Sequence, residues 1–165
     1  MKNKLYLSFL LLVFASCSDD PVSGENNKSA VLDLQNPVLI SRDDGLARSQ
    51  VHSVTSCPNG DVWFGYGING SGITRLRNNY FHTYTDSDGL QKNSVYALAC
   101  DASNRVWIGY GISGSGLTVY HDQSFSHFTT EDGLHSNYIE SLTVTSGGSI
   151  FIAYGRNKSG VTRFN

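Results

Sequence analysis

The chain has 165 residues, a formal net charge of −2 and 39% hydrophobic residues. These values fit one globular domain and exclude the strongly basic surface of a nucleic-acid binder. Charged residues make up only 16% of the sequence, whereas glycine occurs 17 times and aromatic residues make up 12%. Because this balance favours strands and tight turns over amphipathic helices, we expect an all-β protein.

The N-terminus has the pattern of an export signal. Lys2 and Lys4 are followed by an apolar run over residues 5–15, which is too short for a bilayer span of about 20 residues but typical of a signal peptide. Small residues lead into Cys17, and this arrangement resembles the lipobox of bacterial lipoproteins, whose cysteine carries the lipid. We predict a lipoprotein signal peptide over residues 1–16, with an ordinary signal peptide and an incidental cysteine as the alternative.

Residues 17–36 are polar and have little to bury, so they are predicted to form a flexible tether. The two acidic residues after the cysteine, Asp19 and Asp20, resemble the surface-export signal of some Gram-negative lipoproteins. The expected location is therefore the bacterial cell envelope, with a lipid anchor in the outer membrane and the chain on its periplasmic or outer surface.

From residue 45 onwards the sequence repeats. The units 45–88 and 89–132 align without a gap and are identical at 16 of 44 positions, and a third copy runs over 133–165. A period of this length is typical of propeller arrays, in which each repeat is one small sheet that cannot bury its faces alone.

Each unit contains apolar segments that predict four strands, A to D. The strand B segments are continuous apolar runs, as expected of a strand buried on both faces. Residues 37–42 align with strand D of the complete units and lead straight into Gly45, so we predict a separated strand D there. In the order A to D, the predicted strands are 51–54, 62–66, 73–76 and 81–85, then 95–98, 106–110, 117–120 and 125–129, then 139–142, 150–154 and 161–164.

The repeated order of motifs resembles a known family. A Gly-Leu pair, a Val five residues after the Leu, a turn, Trp-Ile-Gly and a glycine-rich loop into Leu or Ile look like the two component regulator propeller repeat. The resemblance covers residues 45–165 and implies β-propeller blades of four antiparallel strands, as in the sensor portions of bacterial hybrid regulators, often tuned to polysaccharide breakdown products. The aspartate usual at the A–B turn of that repeat is present as Asp101 but replaced by Cys57 and Thr145.

About three blades are expected, whereas closed propellers typically contain 4 to 8. One interpretation is a head-to-tail homodimer that forms a six-bladed ring and exchanges strand D. A second is a fragment of a longer chain with open blade faces and an unpaired edge. An open but stable arc is the third.

Two cysteines lie within the repeats. Aligning the units places Cys57 and Cys100 one position out of register, and adjacent positions in a strand point to opposite faces. An exported protein can form disulfides, but this offset favours two separately buried small residues over a bridge.

Candidate ligand-binding residues fall on the rim formed by the D–A and B–C loops. Tyrosine suits stacking on sugars, although a tyrosine that recurs in every blade is also explained by packing at the end of strand B. The candidates on these loops are Tyr66, Tyr110, Tyr154, Asn93, Asn137 and His135.

Three further candidates occupy one equivalent position near the start of strand A: His52, Tyr96 and Glu140. Polar residues that differ within a fixed framework are expected at a binding mouth around a central channel. Simple tolerance of variation beside a solvent-lined channel is the other interpretation.

Catalysis has little support in the sequence. The five histidines have no metal-ligand spacing with cysteines or carboxylates, and no serine elbow or paired carboxylates are found, so we expect no cofactor and no enzyme. A propeller lyase is a minor alternative. Two hypotheses remain: a lipid-anchored module that binds a ligand such as a glycan or an envelope protein, or a structural or assembly subunit without its own ligand.

Overall fold

The computed structural model describes residues 38–155 and 160–165. The predicted signal peptide, the proposed lipid-carrying Cys17 and the predicted tether lie outside these residues. None of the described residues belongs to a helix with the length and hydrophobicity needed to cross a membrane.

The described chain folds into three antiparallel sheets, which confirms the predicted all-β propeller blades; the three do not close into a ring. The first two sheets have four strands each and the third has three, in the order expected from the repeat. The first blade contains β1 (Ser53–Ser56), β2 (Val62–Gly65), β3 (Ile73–Arg77) and β4 (Tyr80–Tyr84), the second β5 (Ala97–Cys100), β6 (Val106–Gly109), β7 (Leu117–His121) and β8 (Ser124–Phe128), and the third β9 (Ile139–Val144), β10 (Ile150–Tyr154) and β11 (Gly160–Phe164).

The turns follow from local chemistry. The C–D hairpin of the first blade turns at Asn78 and Asn79, both with positive φ, as a two-residue type I′ connection requires. The D–A connections begin with short 3₁₀ turns in which a hydroxyl residue and an aspartate cap each other, as Thr85 and Asp88 do. The Thr85 N–H donates to Asp88 Oδ2 at 2.8 Å, and this bond lowers the pKa of Asp88.

The core lies between the blades, because each sheet presents one apolar face to each neighbour. Trp63 and Ile73 of the first blade pack against Leu98 and Ile108 of the second. The opposite face of the second blade packs against the third in the same way, through a cluster that includes Ala97, Leu117, Leu142 and Ile152. Burial between stacked sheets explains why strand B is apolar on both faces.

The predicted separate strand D does not form in the described chain. Residues 38–41 are not in a strand, and Val38 and Leu39 are 80% and 84% exposed. In the first two blades strand D pairs with strand C, whereas the described residues offer residues 38–41 no such partner. The capping turn that follows does form, with Ser41 and Asp44 in the positions of Thr85 and Asp88.

The preference for two separate cysteines was also wrong, since Cys57 and Cys100 form a disulfide with their Cα atoms 5.3 Å apart. The alternation rule holds, but it describes faces within one sheet, whereas these cysteines belong to two stacked sheets. The face of the first blade that meets the second is the opposite of the face that the second presents in return. A one-position offset is therefore what a bridge between neighbouring blades requires.

Candidate functional site

The three variable candidates of strand A occupy one structural position. His52, Tyr96 and Glu140 each lie over a glycine that follows strand B of the same blade. A Cβ atom added to Gly67 would lie 3.0 Å from the His52 ring, so a larger residue there would require the ring to shift slightly. The backbone framework is constant while the side chain above it changes.

These candidates lie at the start of the innermost strand of each blade. The rings of His52 and Tyr96 are in contact, with centroids 4.5 Å apart. Tyr96 is buried between the blades, whereas His52 and Glu140 are exposed. The row therefore offers an imidazole and a carboxylate to solvent.

In the first two blades the tyrosines at the end of strand B belong to the framework. Tyr66 and Tyr110 are fully buried. The Tyr66 hydroxyl donates to Thr74 Oγ1 at 2.8 Å and accepts the N–H of Ala47 at 3.0 Å. The second blade repeats both bonds, at 2.9 and 3.2 Å, whereas the buried Tyr154 hydroxyl has no partner among the described residues. Packing accounts for the first two tyrosines, because neither has a ring face open to a ligand.

Asn93 and Asn137 also hold the rim together. The Asn93 side-chain oxygen accepts the Asp86 N–H at 2.9 Å, and that of Asn137 accepts the Thr130 N–H at 2.8 Å. Each therefore fixes the start of the D–A loop. His135 is exposed on this rim, with its ring 5.6 Å from that of Tyr154.

A cavity of about 700 Å³ lies on the same rim beside the first blade. It is bounded by the segment that leads into strand A and by the B–C loop, so the two kinds of loop share one rim as predicted. The polar residues around this cavity could not be singled out from the sequence, because loop residues carry no periodic signal. They include Arg42, Arg48, Ser49, Gln50, Asn69 and Ser71.

The opposite end of the second blade carries a buried carboxylate. Asp101 is 5% exposed, and its Oδ2 accepts hydrogen bonds from Trp107 Nε1 at 3.0 Å and Arg105 Nε at 2.6 Å. Burial disfavours the charged form, but the bonds from Trp107, Arg105 and Ser103 outweigh it and lower the pKa of Asp101.

The first blade stabilises the same turn with different residues. The disulfide cysteine Cys57 stands where the second blade has Asp101, and Asp61 stands where the second blade has Arg105. Asp61 is buried and forms a two-pronged ion pair with Arg77, which raises the pKa of Arg77. Charge pairing is kept at this end of the blade, but the carboxylate has moved.

A cleft of about 490 Å³ opens between the first and second blades at this end. Trp63, Arg75 and Tyr84 line it from the first blade and Tyr120 from the second. The hydroxyls of Tyr84 and Tyr120 lie 3.1 Å apart. Burial and this hydrogen bond raise the pKa of Tyr84 to about 12, so Tyr84 is neutral at physiological pH.

The equivalent groove between the second and third blades is apolar. It is lined by Trp107, Leu117, Phe128, Ile150 and Phe164 among others. Within the described ranges, no cluster of three or more histidine, cysteine or acidic residues is placed to hold a metal ion.

Comparison with known proteins agrees with the repeat and the fold. The family model described as two component regulator propeller matches residues 89–111, which confirms the resemblance seen in the sequence. No curated protein matches the chain.

Solved structures with the same fold include two extracellular domains from B. thetaiotaomicron. The domain of the putative hybrid two component system BT3049 is 23% identical, with a TM-score of 0.58 over 78% of this chain and 17% of that chain. The domain of the putative hybrid system BT4673 is 18% identical, with a TM-score of 0.56 over 73% of this chain and 18% of that chain. The chain thus spans less than a fifth of either structure, and the likeness establishes the propeller fold.

Proposed function

We propose that this chain of two component regulator propeller blades is a non-catalytic, extracytoplasmic binding module whose ligand is a glycan. The observation that carries the proposal is the strand A row, where His52, Tyr96 and Glu140 differ on an otherwise constant framework. A structural role would favour repetition at this position, as it does for Tyr66 and Tyr110.

The neighbouring cavity also supports this rim as the surface that binds the ligand. Its size of about 700 Å³ lies in the range of small-molecule sites. Its polar lining, with Arg48, Gln50 and Asn69, offers the hydrogen-bond donors and acceptors that sugar hydroxyls require. Gln50 precedes His52 by two residues, so the cavity lies near the first position of the row.

The disulfide supports an extracytoplasmic location, since structural disulfides persist mainly in oxidising compartments. We further propose that a lipid on Cys17 anchors the protein in the outer membrane. Metabolic labelling with a palmitate analogue tests this, with incorporation expected for the natural sequence and lost in Cys17→Ala. Equal labelling of both proteins would contradict the anchor.

A screen of oligosaccharides by thermal shift tests glycan binding. A ligand at 100 times its Kd stabilises the folded state by about 2.7 kcal/mol. We expect Glu140→Ala and His52→Ala to reduce the shift, and Tyr80→Ala, an exposed residue at the opposite end, to leave it unchanged. A uniformly flat screen would favour the structural-subunit alternative instead.

We also propose that further blades complete the ring and that a second copy of the chain supplies them. The outward faces of the first and third blades expose Val54 and Val161 at 60% and 66%, and β11 pairs only with β10 among the described strands. The mass of the purified domain in solution tests this. A dimer is expected, and a strictly monomeric species would contradict it.

A further inference from the structure

The cleft between the first and second blades contains two hydrogen-bond donors without acceptors. Trp63 is 1% exposed, and its Nε1 has no hydrogen-bond partner among the described residues. The buried Nε of Arg75 also has none. An indole N–H and a guanidinium N–H can only donate, and an unsatisfied buried donor is costly. The missing component is therefore an acceptor.

The guanidinium of Arg75 is also a positive charge without a carboxylate. It lies 5.8 Å from the ring centroids of both Trp63 and Tyr84, which holds it in place by cation–π contact. Within residues 38–155 and 160–165, Arg75 forms no ion pair, whereas the nearby Arg77 is paired with Asp61. Arg75 thus brings a positive charge without an ion-pair partner to the point where the donors are free.

The second blade shows which acceptor satisfies such donors. There Asp101 Oδ2 accepts from both an indole and an arginine Nε, those of Trp107 and Arg105. In the first blade Cys57 replaces this aspartate and is bonded to Cys100. The first blade therefore keeps the indole but has no carboxylate at this position, and its unpartnered arginine is Arg75, where the second blade has Val119.

We propose that the cleft between the first and second blades binds a small organic carboxylate, with Trp63 Nε1 and Arg75 as its donors. The cleft has a volume of about 490 Å³ and can hold a ligand the size of an acidic mono- or disaccharide. The carboxylate of the ligand would accept hydrogen bonds from an indole and an arginine, as Asp101 does within the second blade. This site lies at the opposite end of the blades from the proposed glycan rim and does not depend on it.

The two tryptophans of the chain allow a direct test by NMR. The ¹⁵N-labelled protein gives two indole N–H signals, which Trp63→Phe and Trp107→Phe assign. On titration with glucuronate, we expect the Trp63 indole signal to shift progressively and saturably while that of Trp107 stays in place. Glucose at the same concentrations, in buffer of matched ionic strength, is expected to move neither signal.

Variants distinguish the loss of this binding site from general effects on the fold. Arg75→Gln and Trp63→Phe each remove one donor to a charged acceptor, so the affinity for glucuronate is expected to fall about tenfold or more. Trp107→Phe is the matched control, because its indole already has an internal partner, and it is expected to leave the affinity unchanged. Circular dichroism confirms that each variant is folded.

A restored internal carboxylate should compete with the ligand. In Cys57→Asp/Cys100→Ser the new side chain can accept the Trp63 N–H, so glucuronate binding is expected to be lost. Cys57→Ser/Cys100→Ser lacks the disulfide equally and is expected to retain binding. A Trp63 signal unmoved by glucuronate and acetate would overturn the proposal, and so would equal shifts of both indoles or equal binding by the two double variants.

Discussion

The first two blades share one framework but differ at the end where strands A and B are joined. In the second blade a buried network ties the turn to its own sheet, with Asp101 accepting from Arg105 and Trp107. In the first blade the same turn is tied to the neighbouring sheet, through the bond from Cys57 to Cys100. The first blade thus adds a covalent link between blades to an internal ion pair of its own, that of Asp61 with Arg77.

This difference shows that one substitution in a repeat changes several partners at once. Replacing the carboxylate by a cysteine leaves the Trp63 indole without an acceptor among the described residues. The negative charge reappears at Asp61, where it pairs with Arg77. Residues that match between the blades therefore form the shared framework, and a residue that differs also changes the partners of its neighbours.

The largest expected effect is loss of the bond between the blades. Cys57→Ser/Cys100→Ser removes a cross-link that spans 43 residues, and a loop of this length gives about 2–4 kcal/mol of stability. Urea unfolding in non-reducing buffer should show this loss. A reductant should lower the stability of the natural protein to the level of the variant and leave the variant unaffected. A loss below about 1 kcal/mol would mean that the blades are held together without the disulfide.

Loss of the internal charge of the second blade is expected to cost less. Asp101→Asn weakens hydrogen bonds to a buried carboxylate, for which about 2 kcal/mol at neutral pH is expected. Because folding lowers the pKa of Asp101, its contribution is present above the unfolded pKa of about 3.9 and is lost as the pH falls through the folded value.

Unfolding measured from pH 7 to pH 3 tests whether the contribution of Asp101 to stability decreases as the pH falls. The difference in stability between the natural protein and Asp101→Asn should narrow as the pH falls. Asp122→Asn, at a side chain that is 86% exposed, is the control and should change stability little at any pH. A difference that is constant with pH would show that the charge of Asp101 contributes nothing.

The blades themselves could be predicted from the sequence because their signal is local and repeated. Strand B of the second blade, β6, is a continuous apolar run, and the Gly-Leu pairs fix the period of 44. Strand A was predicted about two residues early in the first two blades. Val51 and His52 precede β1, although the His52 N–H still bonds to Gly65 O at 2.8 Å.

The disulfide and the inter-blade cleft could not be predicted in the same way, because both depend on which faces of two sheets meet. The cysteine in place of the usual aspartate was visible in the sequence, but its consequence for Trp63 requires the partners of Trp107 for comparison. Whether the tyrosines of strand B bind a ligand or pack in the framework could not be decided from the sequence for a related reason. Recurrence favours a framework role, but only the contacts of the Tyr66 hydroxyl assign one.

The smallest predicted effect compares one tyrosine hydroxyl across the three blades. Tyr66→Phe and Tyr110→Phe each remove a buried hydroxyl that joins a threonine to a backbone N–H, so each is expected to cost about 1 kcal/mol. Tyr154→Phe should be neutral or slightly stabilising, because the buried Tyr154 hydroxyl has no partner in the described chain. Urea unfolding of the three variants measures the difference. An equal loss at all three positions would show that Tyr154 gains a partner in solution and that the third blade shares the framework of the other two.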